Sequence, residues 1–288
     1  MGTNLLLLDS YKNIEDLIAY SFSFSNKTKR SLKIIYVFDF EWMRHSFMIG
    51  SVGPVDPKLV SVEKNAKKEF NVAEAKIREV AAEYMKENSV NVPFEIHVSE
   101  LNRIDLVQEE AESISDLMLL ISNHQSYSEA SGGLLGYPNL VEHVDSPVLV
   151  IPENIKQSVM NKVVYATGYH PEDIDSLKHL SGLMENYENA GINVLHNEKD
   201  LDFLVKLKWR GFMEIVREEV GGEDIEFSLR KKKDILSAIE EYAEEKDPDL
   251  LVILKEKRGF FEEIFTGSET KSVLTHFHKP VLVYHEKS

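Results

Sequence analysis

At 288 residues the chain is too long for one small domain and comfortable for two of about 140, and its 43% apolar and 28% charged residues exclude a disordered or fibrous protein. A net charge of −16 argues against duplex DNA or RNA as a partner, because that field repels a polyphosphate backbone. With no cysteine there can be no disulfide, thiolate zinc site or cysteine nucleophile, and a reducing compartment fits.

The N-terminus carries no basic stretch ahead of Leu5 to Leu8, and that apolar run is too short for a signal peptide or a membrane span. Leu6 stands where a myristoylation signal requires Ser or Thr. The expectation is a cytoplasmic protein that does not engage membranes.

Residues 4–8 read as a buried strand, followed by a helix whose face holds Ile14, Leu17, Ile18 and Ser21, with Asn13 as its N-cap. A strand at 32–38 comes next. Val72, Ala75, Ile77, Val80, Ala81 and Tyr84 outline a second helix before a strand at 94–98. Ile104, Val107, Ala111 and Ile114 outline a third helix, and strands at 117–121 and 148–151 enclose a fourth.

The same order then recurs. Strands are expected at 162–167, 191–195, 224–229, 250–254 and 281–284, with helices after Pro171, through 206–216, at 235–242 and after Gly267. Within the 206–216 helix, Leu204, Leu207 and Ile215 are assigned to the sheet side, and Glu214, Glu218 and Glu219 offset Lys206, Lys208 and Arg210, which argues against a membrane-surface helix. The runs that begin at Asp116 and Asp249 are each followed, 31 residues after the Asp, by Pro-Val-Leu-Val at Pro147 and Pro280. Matching spacing without a gap marks an internal duplication.

Short apolar strands alternating with helices form a doubly wound parallel sheet with right-handed crossovers. Ligands of such sheets sit beyond the carboxyl ends of the strands, at the switch point. In the second copy Thr266 and Glu269 fit a capping box, and Gly267 with Ser268 opens the last helix, where free N–H groups suit a phosphate. Lys255, Lys257 and Arg258 could supply charge to it, while Phe260, Phe261, Ile264 and Phe265 read as a packing face. His276 and His278, with His143 at the repeat-equivalent of His276, lack the further ligands that zinc needs. There is no G-x-S-x-G elbow, H-E-x-x-H motif or Walker loop.

The strand-four Asp, loop, Gly-Ser, helix and Pro-Val-Leu-Val ending resemble the universal stress protein family in its tandem form, along essentially the whole chain. The resemblance implies two five-stranded Rossmann-like or flavodoxin-like domains, akin to the adenine nucleotide alpha hydrolase fold, at 1–154 and 159–288. They would form an internal pseudo-dimer in which 147–151 pairs with 280–284, and two such chains could associate further.

ATP-binding members of the family carry G-x2-G-x9-G-[S/T] before the last helix and an Asp at the end of strand one that contacts adenine. Here Asp9 stands at the acid position of the first copy, but Gly168 replaces it in the second. Gly267 and Ser268 keep the motif's end, whereas Leu254 and Lys257 stand at its first two glycines. In the first copy Ile121, His124, Leu134 and Leu135 fall on the motif; sliding the fit to Gly133 or Gly136 recovers one glycine but leaves Pro138 in the helix's first turn. A Cβ at a lost glycine blocks backbone approach.

The implied function is therefore a non-catalytic stress-response protein with weak or degenerate binding of ATP or another adenine nucleotide through Asp9, Gly136, Lys257, Gly267 and Ser268. The alternatives are an interaction or small-ligand module that has lost ATP, its cleft filled by side chains such as Leu134 and Leu254, and a weak ATPase dependent on Ser268.

Overall fold

A computed structural model of the chain describes residues 2–37, 57–100, 102–125, 137–221, 225–256 and 277–286, with the backbone alone for 57–67 and 139. They fall into two compact units: Met1–Ser146 with Glu153–Ser158, and Pro147–Pro152 with Val159–Ser288.

The first unit runs β1 (Thr3–Leu8), α1 (Glu15–Thr28), β2 (Ser31–Val37), α2 (Pro57–Asn88), β3 (Phe94–Ser99), α3 (Arg103–Ser113), β4 (Leu117–Ser122) and α4 (Tyr137–His143). Its strands lie parallel in the order β3-β2-β1-β4. The second contains β5 (Val148–Ile151), β6 (Lys162–Ala166), α5 (Asp173–Met184), β7 (Gly191–Glu198), α6 (Phe203–Glu219), β8 (Ile225–Lys231), α7 (Ile235–Lys246), β9 (Leu250–Lys255) and β10 (Val281–His285). There the order is β8-β7-β6-β9-β10, all parallel. The order β3-β2-β1-β4 recurs as β8-β7-β6-β9, which is the duplication read from the sequence.

The exception to parallel pairing is β5. It runs antiparallel to β10, with Leu149 opposite Leu282, as the family resemblance implied. This pairing covers a ladder edge that would otherwise be open. It also places β5 with the second compact unit although its sequence belongs to the first copy.

Burial explains why the central strands lack alternation. Leu5 to Leu8 on β1 and Leu119 to Ile121 on β4 are fully buried, as are Leu251 to Ile253 on β9. Each such side chain, covered on both faces of the sheet, contributes about 2 kcal/mol relative to exposure. The edge strands β3 and β8 are instead half-buried to exposed along their length.

The repeated Asp residues work at the amino ends of the strands. Asp116 accepts from Arg30 at 2.7 Å, and Arg30 in turn donates to Asn4 Oδ1. Gly2 leaves room for that pair, since a Cβ there would lie 2.2 Å from both Arg30 and Asp116. In the second copy Asp249 accepts from the backbone N–H groups of Asn161 and Lys162, each at 3.0 Å. The strongest part of the repeat signature is thus a strand-start clamp, distant from the ligand end.

Several local expectations change. Asn13 does not cap α1: its φ is +54° and Ile14 precedes the helix with no side-chain cap. On α2, Val72 and Ala75 are exposed, and Ala73 joins Ile77, Val80 and Ala81 in the core. On α6 the assignment to the sheet is reversed. Leu204, Leu207 and Ile215 face solvent, while Trp209, Phe212 and Val216 are buried. Two apolar stripes satisfy the helical period on α6, and the bulkier aromatic one wins the sheet. Position 224, assigned to strand eight, and the helix after Gly267 lie outside the described residues.

Candidate functional site

In the first unit, β1 lies between β2 and β4, so the chain leaves its carboxyl end in the crevice where crossover direction reverses. Asp9 follows β1 directly. Its carboxylate is 3% exposed and lies 3.5 Å from the guanidinium of Arg103, itself 6% exposed. Gln125, just after β4, accepts from the N–H groups of Asp9 and Ser10 at 2.9 and 2.8 Å. The side-chain amide therefore ties the two loops of the crevice together through backbone donors.

Arg103 is the first residue of α3, behind an Asn102 side chain that caps the helix at Asp105 N. A cation in a first helical turn opposes the macrodipole, so a specific acid must hold it there, and that acid is Asp9. Nε and Nη1 of Arg103 are buried and lack hydrogen-bond acceptors among the described residues. The pair is flanked by Tyr36, whose phenol is pushed up to about 12 by burial and then by the charge of its neighbours. Tyr11 stands edge-on to Tyr36 and donates to Glu69 at 2.8 Å.

The corresponding place in the second unit is built differently. After β6 come Thr167, Gly168 and Tyr169, the last at φ +68°. Gly168 offers no carboxylate, and the acid enters from Asp173 at the start of α5. Asp173 is fully buried and accepts from Tyr165 Oη at 2.7 Å, Thr167 Oγ1 at 2.6 Å and His170 N at 2.9 Å. Burial raises its pKa in spite of these donors. Tyr169 lies on His196 with ring centroids 3.7 Å apart, and Trp209 and Phe212 complete the cluster. Four rings thus gather beside the end of β6, where the first copy has Asp9 and Arg103.

His196 shares its Nδ1 with Thr167 O at 2.8 Å and its Nε2 approaches Glu198 at 3.4 Å. Burial nevertheless lowers its pKa. The sign follows from linkage. The unfolded chain takes up the proton first as pH falls below about 6.5, so the fold loses stability from there down to the depressed folded value. Comparing urea midpoints at pH 7.5 and 5.5 should show a drop in the wild type and a smaller one in His196→Gln; equal drops would remove His196 as the cause.

Of the five residues singled out in the sequence, Asp9 alone lies among the described residues, at the expected strand end. Gly136, Lys257, Gly267 and Ser268 lie outside them, as do Leu134, Leu135, His276 and the Phe260 to Phe265 segment. Leu254 is 1% exposed within β9, and Pro138 stands in the first turn of α4. His143 closes α4, and no cluster of three metal-ligating side chains occurs among the described residues. Arg103, Gln125, Asp173 and His196 were missed. Arg103 alone left a trace in the sequence, as a cation where a helix start favours an acid.

A cavity of about 920 Å³ lies elsewhere in the second unit, at the amino ends of β6 to β8 among Asn161, Tyr187, Asn193 and Tyr242. It is at the opposite end of the strands from the switch point. Among the described residues no helix is long and apolar enough to cross a membrane.

Comparison with known proteins agrees with this architecture. Residues 184–285 match the model of the universal stress protein family. A universal stress protein from Archaeoglobus fulgidus DSM 4304 shares the fold with a TM-score of 0.64 at 13% identity, over 99% of this chain and 97% of that one. A putative universal stress protein from Pseudomonas aeruginosa UCBPP-PA14 gives 0.57 at 14% identity, over 98% and 92%. The cytoplasmic domain of a prokaryotic cation chloride cotransporter gives 0.56 at 10% identity, over 98% and 94%. No curated protein matches the chain.

Proposed function

Taking the chain as a member of the universal stress protein family, with the matched domain at 184–285, we propose that it is a tandem, non-catalytic stress-response protein of the cytoplasm. Its two domains, 1–154 and 159–288, would hold adenine nucleotides weakly or not at all. The observation that carries this reading is the pairing of Asp9 with Arg103. The carboxylate that would accept from an adenine amino group already faces a buried guanidinium, so a nucleotide must compete with an intramolecular ion pair. Tyr169 and His196 supply the second support, since a closely packed pair of rings stands where the second copy would need its acid.

Millimolar Mg-ATP is expected to raise the melting temperature by no more than about 1 °C, because a ligand present near its Kd stabilises by only about 0.4 kcal/mol. A concentration-dependent rise of several degrees that disappears in Asp9→Asn would refute weak binding and place a nucleotide in the first domain. That second reading has an observation in its favour: the two buried nitrogens of Arg103 without acceptors among the described residues could donate to a ligand's carbonyl or ring nitrogen. Phosphate release from ATP that depends on Ser268 would establish an enzyme instead.

A further inference from the structure

We infer that the outward face of α6 is the contact surface for a second copy of this chain, docked antiparallel and centred on Gly211. The inference does not depend on nucleotide binding. Among the described residues six large apolar side chains are exposed, and four of them stand on this one helix: Phe203 at 78%, Leu204 at 63%, Leu207 at 56% and Ile215 at 49%. At 3.6 residues per turn, these four and Gly211 share an arc of about 120°. The buried face of Trp209, Phe212 and Val216 lies across the helix from that arc. The exposed stripe is therefore a second, largely apolar face that carries Glu214 and Glu218 within it and is unused within its own fold.

Gly211 marks the middle of the stripe. Glycine inside a helix costs about 1 kcal/mol relative to alanine, and the fold does not require it here, because a Cβ at Gly211 would have nothing within 4 Å. The space it leaves is on the outer side, where it lets the axis of another helix approach closely.

The charges specify which occupant fits. Lys206, Lys208 and Arg210 occupy the amino half of the helix, and in the carboxyl half Glu214, Glu218 and Glu219 outnumber Arg217. This is the reverse of what the helix dipole favours. Glu219 holds Lys178 at 2.7 Å, but Lys206, Lys208, Arg210, Glu214 and Glu218 make no ion pair among the described residues.

Laid antiparallel on an identical helix, each basic half meets an acidic half. Leu207 then faces Ile215 of the other copy, and the two Gly211 residues coincide. Such a contact is isologous and closes at two chains. A lipid surface fits less well: Glu214 and Glu218 lie within the same arc, and a chain of net charge −16 is repelled by anionic headgroups. One helix of 17 residues presents less than the roughly 800 Å² per partner of a stable complex, so the dimer should dissociate within the micromolar range.

Sedimentation velocity of the full chain across that range tests the inference. Wild type should pass from monomer to dimer, and Leu207→Glu should raise the dissociation constant by about tenfold or more. Lys206→Glu with Lys208→Glu, and separately Glu214→Lys with Glu218→Lys, should each weaken self-association. An equimolar mixture of the two should restore it, because opposite charges then meet at both junctions. All of these positions are exposed, and an unchanged circular dichroism spectrum and melting temperature would show that folding is retained. A wild type that stays monomeric, a Leu207→Glu variant that dimerises unchanged, or charge-reversed variants that fail to associate when mixed would overturn the proposal. So would a monomer that floats with anionic vesicles through Leu207, which would assign the face to lipid.

Discussion

Asp173→Ala is expected to lower the stability of the second unit by about 4 kcal/mol, among the largest effects of any single change in the chain. The carboxylate is fully buried and receives Tyr165 Oη, Thr167 Oγ1 and the His170 N–H. Its removal strands three donors in a site that water does not reach, and each stranded donor costs about 1 to 3 kcal/mol. Trp209 packs against Tyr169, in the loop between Thr167 and His170, so its emission in a Trp42→Phe background reports the urea transition of this unit. Adding Tyr165→Phe to the alanine variant should recover part of the loss, since one of the stranded hydroxyls is then gone. A loss below about 1 kcal/mol would mean that the network is not a stabilising element.

The pH dependence of this site runs opposite to that of His196. Because the folded pKa of Asp173 is raised, its contribution is complete below the unfolded value near 3.8 and fades as pH rises through the folded value. Asp173→Asn, which mimics the neutral acid, should therefore cost less at pH 7 than at pH 4. The wild type is held together here partly in spite of its charge.

Arg103→Ala carries the second large effect, an expected loss of about 3 kcal/mol in the first unit. The guanidinium is withdrawn from a carboxylate that is 3% exposed, and desolvation of Asp9 is then less well offset. Coupling distinguishes this account from simple loss of packing at α3. If the ion pair matters, Asp9→Asn with Arg103→Gln should retain most of the stability that either change to alanine forfeits, as measured in a double-mutant cycle. Additive losses would show that the two side chains act independently.

The architecture was legible because its signals are local. Apolar runs bounded by Asp116 and Pro147, and again by Asp249 and Pro280, fix strand position without knowledge of any contact. The site was less legible because its determinants are distant. Asp9 was found from its place after β1, but its partner Arg103 lies two strands and two helices further along the chain. Asp173 resembled an ordinary acid in a first helical turn, and its three donors come together only when β6 and the following loop close over it. On α6 the periodicity was read correctly and the face wrongly, because Leu204-Leu207-Ile215 and Trp209-Phe212-Val216 obey the same period. Hydrophobic spacing gives the helix but cannot say which of two apolar stripes meets the sheet.

The pairing of β5 with β10 bears on how this chain can be divided. A cut placed by sequence similarity, between the two copies near Ser158, strips β10 of its antiparallel neighbour and leaves the Val281 to Val283 ladder open to any strand it meets. Begun instead ahead of Pro147, the C-terminal fragment carries its own closing strand, borrowed from the other copy. Duplicated genes whose last strands pair in this way lose the freedom to become separate polypeptides again without first protecting the edge that the pairing covers.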